Sequence, residues 1–104
     1  MDRKGVVLVL FDLPMTKKEQ QRVYRKFKKH LIQNGYRRIQ ESVYVKLLRT
    51  TSNTQREIAK IKLASPIEGD IQILPLPLAY FKKMIAISGT PFDMDFFSDD
   101  VICL

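Results

Sequence analysis

The chain has 104 residues, of which 45% are hydrophobic, and carries a formal net charge of +7. This length suits one domain with its own core, and no apolar run approaches the roughly 20 residues that a bilayer requires, which excludes a membrane-spanning protein. Because the only cysteine is Cys103 and the only histidine is His30, the sequence excludes an intramolecular disulfide, a Cys/His zinc cluster and a Cys–His hydrolase.

The positive charge is concentrated in the first part of the chain. Residues 1–65 carry 16 basic and 5 acidic side chains, a balance of +11, whereas residues 66–104 carry 2 basic and 6 acidic ones, a balance of −4. This polarity predicts a polyanionic partner for the first part and a different kind of partner for the acidic end.

The first predicted element is a strand over Gly5–Phe11, whose continuous β-branched and apolar residues are typical of a strand covered on both faces. The segment is too short for the hydrophobic part of a signal peptide, so we expect a cytoplasmic protein. Asp12-Leu13-Pro14 ends the strand, because proline cannot continue a central strand.

A helix is predicted from Thr16 to about Gln33. The segment Thr16-Lys17-Lys18-Glu19 has the pattern of a capping box, and Asn34-Gly35 supplies a residue that tolerates positive φ at the end. His30 lies at the edge of the apolar stripe, which favours a packing role over a catalytic one. The stripe itself consists of Val23, Phe27 and Leu31, with Tyr24 beside them.

Two strands and a second helix are predicted next. The strands cover Tyr36–Gln40 and Ser42–Leu48, with a bulge at Glu41 and with Val43, Val45 and Leu47 facing inward. The second helix begins near Thr54, where Thr54-Gln55-Arg56-Glu57 repeats the capping-box pattern, and must end before Pro66.

The last third of the chain contains three shorter strand patterns. Asp70–Leu74 alternates, with Ile71 and Ile73 inward, until Pro75 and Pro77 break the pattern. Met84–Ile87 is a short apolar strand before Ser88-Gly89, and Val101–Leu104 is a candidate for one more.

The resulting order, β-α-β-β-α-β followed by a tail, predicts an α+β protein with a ferredoxin-like sandwich and an additional C-terminal strand. We expect a ferredoxin-like domain over residues 1–89 and an acidic tail over residues 90–104. Two helices would cover one face of a four-stranded antiparallel sheet.

The outer side of the first helix is strongly basic. From Thr16 to Arg38 there are nine basic residues against the single acid Glu19, although a solvated helix face usually mixes both signs because i,i+4 ion pairs stabilise it. One interpretation is a soluble basic surface without a ligand. We favour a row of phosphate contacts that reads no bases. The residues concerned are Lys17, Lys18, Arg22, Arg25, Lys26, Lys29, Arg37 and Arg38.

Asp12 is the candidate metal ligand and catalytic residue. A carboxylate at the exit of a buried strand is expected to be partly desolvated, and Mg²⁺ prefers one or two carboxylates together with waters and phosphate oxygens. If a two-fold axis brings two copies of Asp12 together, a dimer supplies the second carboxylate. The alternative is an aspartate that ends a strand and accepts hydrogen bonds from its own turn.

Six segments of the chain together form a recognisable pattern. They are Val7–Pro14, Tyr24–Lys29, Asn34–Tyr36 and Gln40–Lys46, with agreement from Gly69–Leu74 and Met84–Ser88. In this order they resemble the CRISPR-associated protein two family, and the likeness is closest to members from type II systems. It covers roughly residues 5–89, which makes it far more specific than any single motif.

The resemblance implies a homodimer that bridges two dimers of the CRISPR integrase, CRISPR-associated protein one, and holds double-stranded DNA for insertion as a new spacer. Asp12 occupies the position of the family's magnesium ligand for endonuclease (endoribonuclease) activity, whereas Phe11 stands where many relatives carry tyrosine. The family's C-terminal segment pairs with the partner subunit and contacts the integrase. By this resemblance the interface would include Val101, Ile102, Cys103 and Leu104.

Two other functions remain as alternatives. The first is a stand-alone metal-dependent endoribonuclease of toxin type, which would act on RNA through Asp12. The second is a single-strand RNA-binding module of the same fold class, which is disfavoured because Asp70–Leu74 lacks the surface aromatic residues of an RNA-recognition motif.

Overall fold

The computed structural model describes residues 3–92 of the protein. Within this range no helix has the length and apolar character needed to cross a membrane. A 3-10 turn over Thr51–Asn53 precedes the second helix. The strands are β1 Gly5–Asp12, β2 Arg37–Gln40, β3 Val43–Leu48 and β4 Asp70–Pro77, and the helices are α1 Lys18–Gln33, α2 Thr54–Ala64 and α3 Leu78–Phe81.

The four strands form one antiparallel sheet in the order β2-β3-β1-β4. β1 therefore lies in the centre, where it pairs with β3 on one side and with β4 on the other. This arrangement confirms the predicted α+β class with a ferredoxin-like sandwich.

Both faces of β1 are covered, as the sequence predicts. Its odd-numbered residues, such as Val7 and Phe11, lie in a core shared with α1 and α2, whereas Val6 and Leu8 lie in a second cluster on the opposite face. The second cluster includes Leu78 and Phe81 of α3. Successive strand residues point to opposite faces, so β1 supplies both cores at once.

The start of α1 differs from the predicted capping box. Lys17 is the N-cap residue, and its backbone N–H donates to Oε1 of Gln20 at 2.9 Å. Glu19, which was expected to reach back to the backbone, instead accepts from Arg22. The predicted end of the helix is confirmed, since Asn34 is the C-cap and Gly35 has a φ of 92°.

The start of α2 also differs from its predicted capping box. Thr54 is the first helical residue rather than the cap, and its hydroxyl donates to the carbonyl oxygen of Thr51 at 2.8 Å. Glu57 turns inward, where it accepts from the Tyr36 hydroxyl at 3.2 Å and from Lys46 at 3.1 Å. Because these buried partners hold the carboxylate, it cannot cap the backbone. The helix ends before Pro66, as predicted.

The pairing of β2 with β3 corrects two predictions. Tyr44 was expected to face outward, but it is only 2% exposed because it packs under the helices, while Val45 is buried on the other face. The irregularity lies between Arg38 and Gln40 rather than at Glu41, which belongs to the turn. An interior strand whose two faces are both covered buries the side chains on both of them, here those of Tyr44 and Val45.

β4 continues past the two prolines that were predicted to end it. Pro75 pairs with Val7 and Pro77 with Gly5. Proline is tolerated there because β4 is an edge strand, on which one row of backbone N–H groups needs no ladder partner. The inward placement of Ile71 and Ile73 against the helix-side core is confirmed.

The predicted strand at Met84–Ile87 is wrong for this chain, since these residues form no strand. Ile85 is 78% exposed and Ile87 is 92% exposed. Strand composition alone does not make a strand, and no strand among residues 3–92 pairs with this segment. The additional strand at Val101–Leu104 lies outside the described residues, and the division at residue 89 stays a prediction.

Gly69 sets how closely the start of β4 approaches the end of β1. We expect Gly69→Ala to lower the free energy of unfolding by roughly 2–4 kcal/mol, because the left-handed backbone alone costs about 1–2 kcal/mol and a clash adds to it. With a φ of +98°, an added Cβ would lie 2.6 Å from Cδ2 of Leu13 and 2.9 Å from the Asp12 carbonyl oxygen. Urea unfolding at one protein concentration measures the change.

Gly89 provides the matched control. It also has a positive φ, of +82°, but no atom of residues 3–92 lies within 4 Å of an added Cβ. Gly89→Ala should therefore show the backbone cost without the clash. Equal losses of stability in the two variants would contradict the close approach at Gly69.

Candidate metal and nucleic-acid sites

Asp12 lies at the end of β1, with its side chain on the face of the sheet opposite α1 and α2. It is exposed, so the expected desolvation is wrong. Residues 3–92 form no hydrogen bond to its carboxylate, which contradicts the alternative that its own turn satisfies it. The preceding Phe11 points the other way, into the core, with its ring centroid 5.1 Å from that of Phe27 and 5.7 Å from that of Tyr44.

Asp70 is the residue that sequence reasoning missed. It is the first residue of β4 and pairs directly with Asp12. Directly opposed residues of an antiparallel pair share a face, and two like charges in this position repel each other. The two acids line a shallow cavity of about 260 Å³ together with Leu10, Phe11 and Gln72. The alternating sequence pattern predicts Asp70 as the first residue of a strand, but only the pairing register of β4 with β1 brings it opposite Asp12.

The donor chemistry of this pair fits Mg²⁺. Two exposed carboxylates offer hard oxygen ligands and leave room for the waters that Mg²⁺ retains. Among residues 3–92 no group of three or more His, Cys, Asp or Glu side chains could hold a metal. One chain therefore offers Asp12 and Asp70 at this end of the sheet and no richer ligand set in its described part.

The basic residues predicted on α1 form an exposed row. Lys18, Arg22, Arg25 and Lys29 are all exposed and lie on the side opposite the buried Tyr24, Phe27 and Leu31. At a rise of 1.5 Å per residue the row is about 16 Å long. The row thus presents four cationic side chains along a rigid rod.

Only one member of the row has an acidic partner within residues 3–92. Arg22 donates to both carboxylate oxygens of Glu19, at 2.5 and 2.7 Å. Both side chains are about two-thirds exposed, and exposed ion pairs contribute little to stability. A competing phosphate could therefore displace Glu19 at small cost. Lys18, Arg25 and Lys29 form no ion pair with the described residues.

Arg37 and Arg38, predicted to extend the row, point to opposite faces of the sheet. Arg37 pairs with Val45, which faces away from the helices, whereas Arg38 pairs with Tyr44 on the helix side. Burial raises the pKa of the Tyr44 phenol, and the nearby positive charge of Arg38 opposes that rise. Arg38 therefore shares a face with α1 and Arg37 does not.

The other basic residues of α1 have distinct surroundings. Lys17 and Lys26 are exposed, at the N-cap and at the side that faces α2. Lys28 points away from the row, with its ammonium 4.7 Å from the Tyr24 ring centroid and 3.9 Å from Glu41. The Lys28 ammonium therefore contacts groups near the end of β2, and Lys28 is not a member of the row.

His30 is half-buried and lines the groove between α1 and α2, outside both core clusters of the described residues. The side-chain amide of Asn34 donates to its backbone carbonyl oxygen at 2.8 Å, and the predicted packing role of the imidazole stays a prediction. Val23 is only half-buried and lines a groove instead of the core. The interface residues Val101, Ile102, Cys103 and Leu104 lie outside the described range.

Comparison with known proteins gives one consistent result. Residues 5–84 match the family model described as CRISPR associated protein Cas2. A protein of Streptococcus mutans serotype c (strain NN2025) is 36% identical over 83 residues, which cover 80% of this chain and 78% of that protein. A protein of Acidovorax ebreus is 34% identical over 85 residues, or 82% and 83% of the two chains. Both are named CRISPR-associated endoribonuclease Cas2.

Proposed function

Because the chain belongs to the Cas2 family of CRISPR-associated proteins, we propose that it acts in spacer acquisition as a homodimer that bridges the CRISPR integrase and holds duplex DNA by its phosphates. The observation that carries this proposal is the exposed row of Lys18, Arg22, Arg25 and Lys29 on α1. Handling chromosomal DNA in this way requires a cytoplasmic protein.

The row suits a phosphate backbone better than base edges. Base reading needs donors and acceptors aimed into a groove, whereas backbone binding needs positive charge spaced along a rigid element. Three of the four members have no ion pair with the described residues. Repulsion among them is relieved when phosphates replace their counterions, which favours binding of any duplex sequence.

The proposed dimer uses the sheet face opposite α1 and α2, in the part that α3 does not cover. Leu74 lies on this face opposite Leu8 and is 51% exposed, and Leu10 beside it is half-buried. Asp12 ends the same face, so two subunits packed through it would bring two Asp12–Asp70 pairs into one assembly. The exposed apolar segment Met84–Ile87 would also gain cover from a second subunit.

The proposed integrase contact involves the end of the chain. Four acidic side chains between residues 93 and 100 would repel a duplex and suit a protein surface. The apolar residues 101–104 would then add a strand to a neighbouring edge by β-augmentation.

Cleavage of RNA is the second candidate function, and the names of the two relatives, which call them endoribonucleases, favour it. Asp12 and Asp70 would hold Mg²⁺, which when bound supplies Lewis-acid activation of a phosphodiester. The basic row would bind the same substrate through its phosphates. Phe11 is buried in the core and has no hydroxyl, so it takes no part in such a reaction.

Single substitutions on α1 test duplex binding. Lys29→Gln and Arg25→Gln should each weaken binding and lower the slope of log affinity against log salt by about 0.9, the value for one lost phosphate contact on B-DNA. Fluorescence anisotropy with two unrelated duplexes at several salt concentrations gives both quantities. Lys28→Gln, which removes the same charge from the same helix but outside the row, is the control. Equal effects of Lys28→Gln and Lys29→Gln would contradict the assignment.

A glutamate on the open sheet face tests the dimer. Leu74→Glu should convert the protein to a monomer, because the interface would have to bury an unpaired charge. Leu63→Glu changes a leucine that is 89% exposed on α2 and should leave the dimer intact. Sedimentation velocity measures both. A dimer that survives Leu74→Glu would contradict the proposed interface.

Thermal unfolding with and without Mg²⁺ tests the acidic pair. Mg²⁺ should raise the midpoint of the wild-type protein, because a ligand that binds only the folded state stabilises it. Asp12→Asn and Asp70→Asn should each abolish this rise, while Glu68→Gln, the control at a neighbouring exposed acid, should keep it. A rise that persists in Asp70→Asn would remove Asp70 from the site, and one that persists in both variants would remove the site.

A further inference from the structure

A second basic cluster lies between β3 and α2, far from Asp12. It surrounds a cavity of about 330 Å³. Lys46 pairs with Val7 near the start of β1, and Asp12 is five residues further along that strand, roughly 17 Å away. The cavity is lined by the basic residues Lys46, Arg49, Arg56 and Lys60, together with Leu47, Leu48, Asn53 and Glu57.

Among residues 3–92, Glu57 is the only acid that lines this cavity, and its carboxylate is already engaged. Glu57 is 6% exposed and accepts from the Tyr36 hydroxyl and from Lys46, with Lys60 at 3.7 Å. Burial raises the pKa of Tyr36 well above its usual value, and the charge of Glu57 raises it further, so the phenol stays a donor to this carboxylate. Leaving Arg49 aside, the three cations Lys46, Arg56 and Lys60 against the one carboxylate of Glu57 give these four side chains a formal charge of +2.

The cluster is partly fixed in position before any ligand binds. The Lys46 side chain is only 23% exposed, because it is held between the Glu57 carboxylate and the Tyr36 ring. Arg56 is exposed and forms no ion pair with the described residues. The cavity therefore combines a fixed ammonium with a guanidinium that is available to a ligand, and guanidinium groups bind phosphate oxygens in a bidentate manner.

The cluster is connected to the row on α1. Lys60 lies one helical turn after Arg56 and also lines the groove between the two helices, where it faces Lys26 and His30 of α1. Positively charged side chains therefore extend from α1 across this groove to α2.

We propose that the cavity between β3 and α2 is a second phosphate-binding site, so that a bound duplex crosses both helices instead of following α1 alone. The inference rests on the proposed function, because it assigns further backbone contacts to the same nucleic acid. The formal charge of +2 on Lys46, Arg56, Lys60 and Glu57 together exceeds what a single carboxylate side chain would neutralise, which favours the backbone of a polyanion over an acidic side chain.

Arg56→Gln in the full-length protein is the decisive variant. It should weaken duplex binding and lower the slope of log affinity against log salt by about 0.9, as for one lost phosphate contact. Lys62→Gln removes the same charge from the same helix but does not line the cavity, so it should leave the slope unchanged. Since Arg56 has no ion pair within residues 3–92, circular dichroism should show both variants equally folded.

The outcomes separate this site from the row on α1. If Arg56→Gln behaves like Lys62→Gln while Lys29→Gln still weakens binding, the second site is refuted and the proposed function stands. If neither Arg56→Gln nor Lys29→Gln has an effect, both are refuted. A synthetic peptide of residues 93–104 is the remaining probe. If it binds the wild type but not Arg56→Gln, while duplex affinity is the same in both, the cavity takes an acidic protein segment and the phosphate assignment is wrong.

Discussion

The rotational setting of α1 about its own axis is the constraint on which the rest of the structure depends. Tyr24, Phe27 and Leu31 are buried against the sheet, and each such side chain contributes roughly 1.5–3 kcal/mol through burial. The repulsion between like charges on the outer side costs only about 0.2–0.5 kcal/mol per pair. Burial of the apolar stripe therefore decides the orientation, and Lys18 and Lys29 face outward whatever their mutual repulsion.

The two ends of the sheet carry opposite charge. The alternation of side chains between the two faces of the strands, which builds the core, also produces this difference. At the end of β1, Phe11 enters the helix-side core while Asp12 faces outward beside Asp70, an approach that Gly69 permits. Near the start of β1, Lys46 is anchored on the buried Glu57. One end of the molecule thus presents carboxylates suited to a cation, and the other end presents cations suited to a phosphate.

Local patterns in the sequence were sufficient where neighbours along the chain determine the outcome, as for the apolar β1 and for the helix end at Gly35. They failed where a strand or helix distant along the chain determines the outcome. Pro75 was expected to end a strand, yet β4 is an edge strand that tolerates it, and Tyr44 is buried because helices cover its face. The sequence did not identify Asp70 as a site residue for the same reason, since only the pairing register of β1 with β4 places it opposite Asp12.

Lysine footprinting with an amine-reactive reagent, read by mass spectrometry, tests the central claim most directly. With a saturating duplex bound, labelling of Lys18 and Lys29 should fall sharply. Lys62 is exposed but lines neither the groove between α1 and α2 nor the cavity between β3 and α2, so it should react as in the free protein. Unchanged labelling of Lys18 and Lys29 under conditions in which the duplex is bound would contradict the account, because phosphates bound to these ammonium groups lower their reactivity.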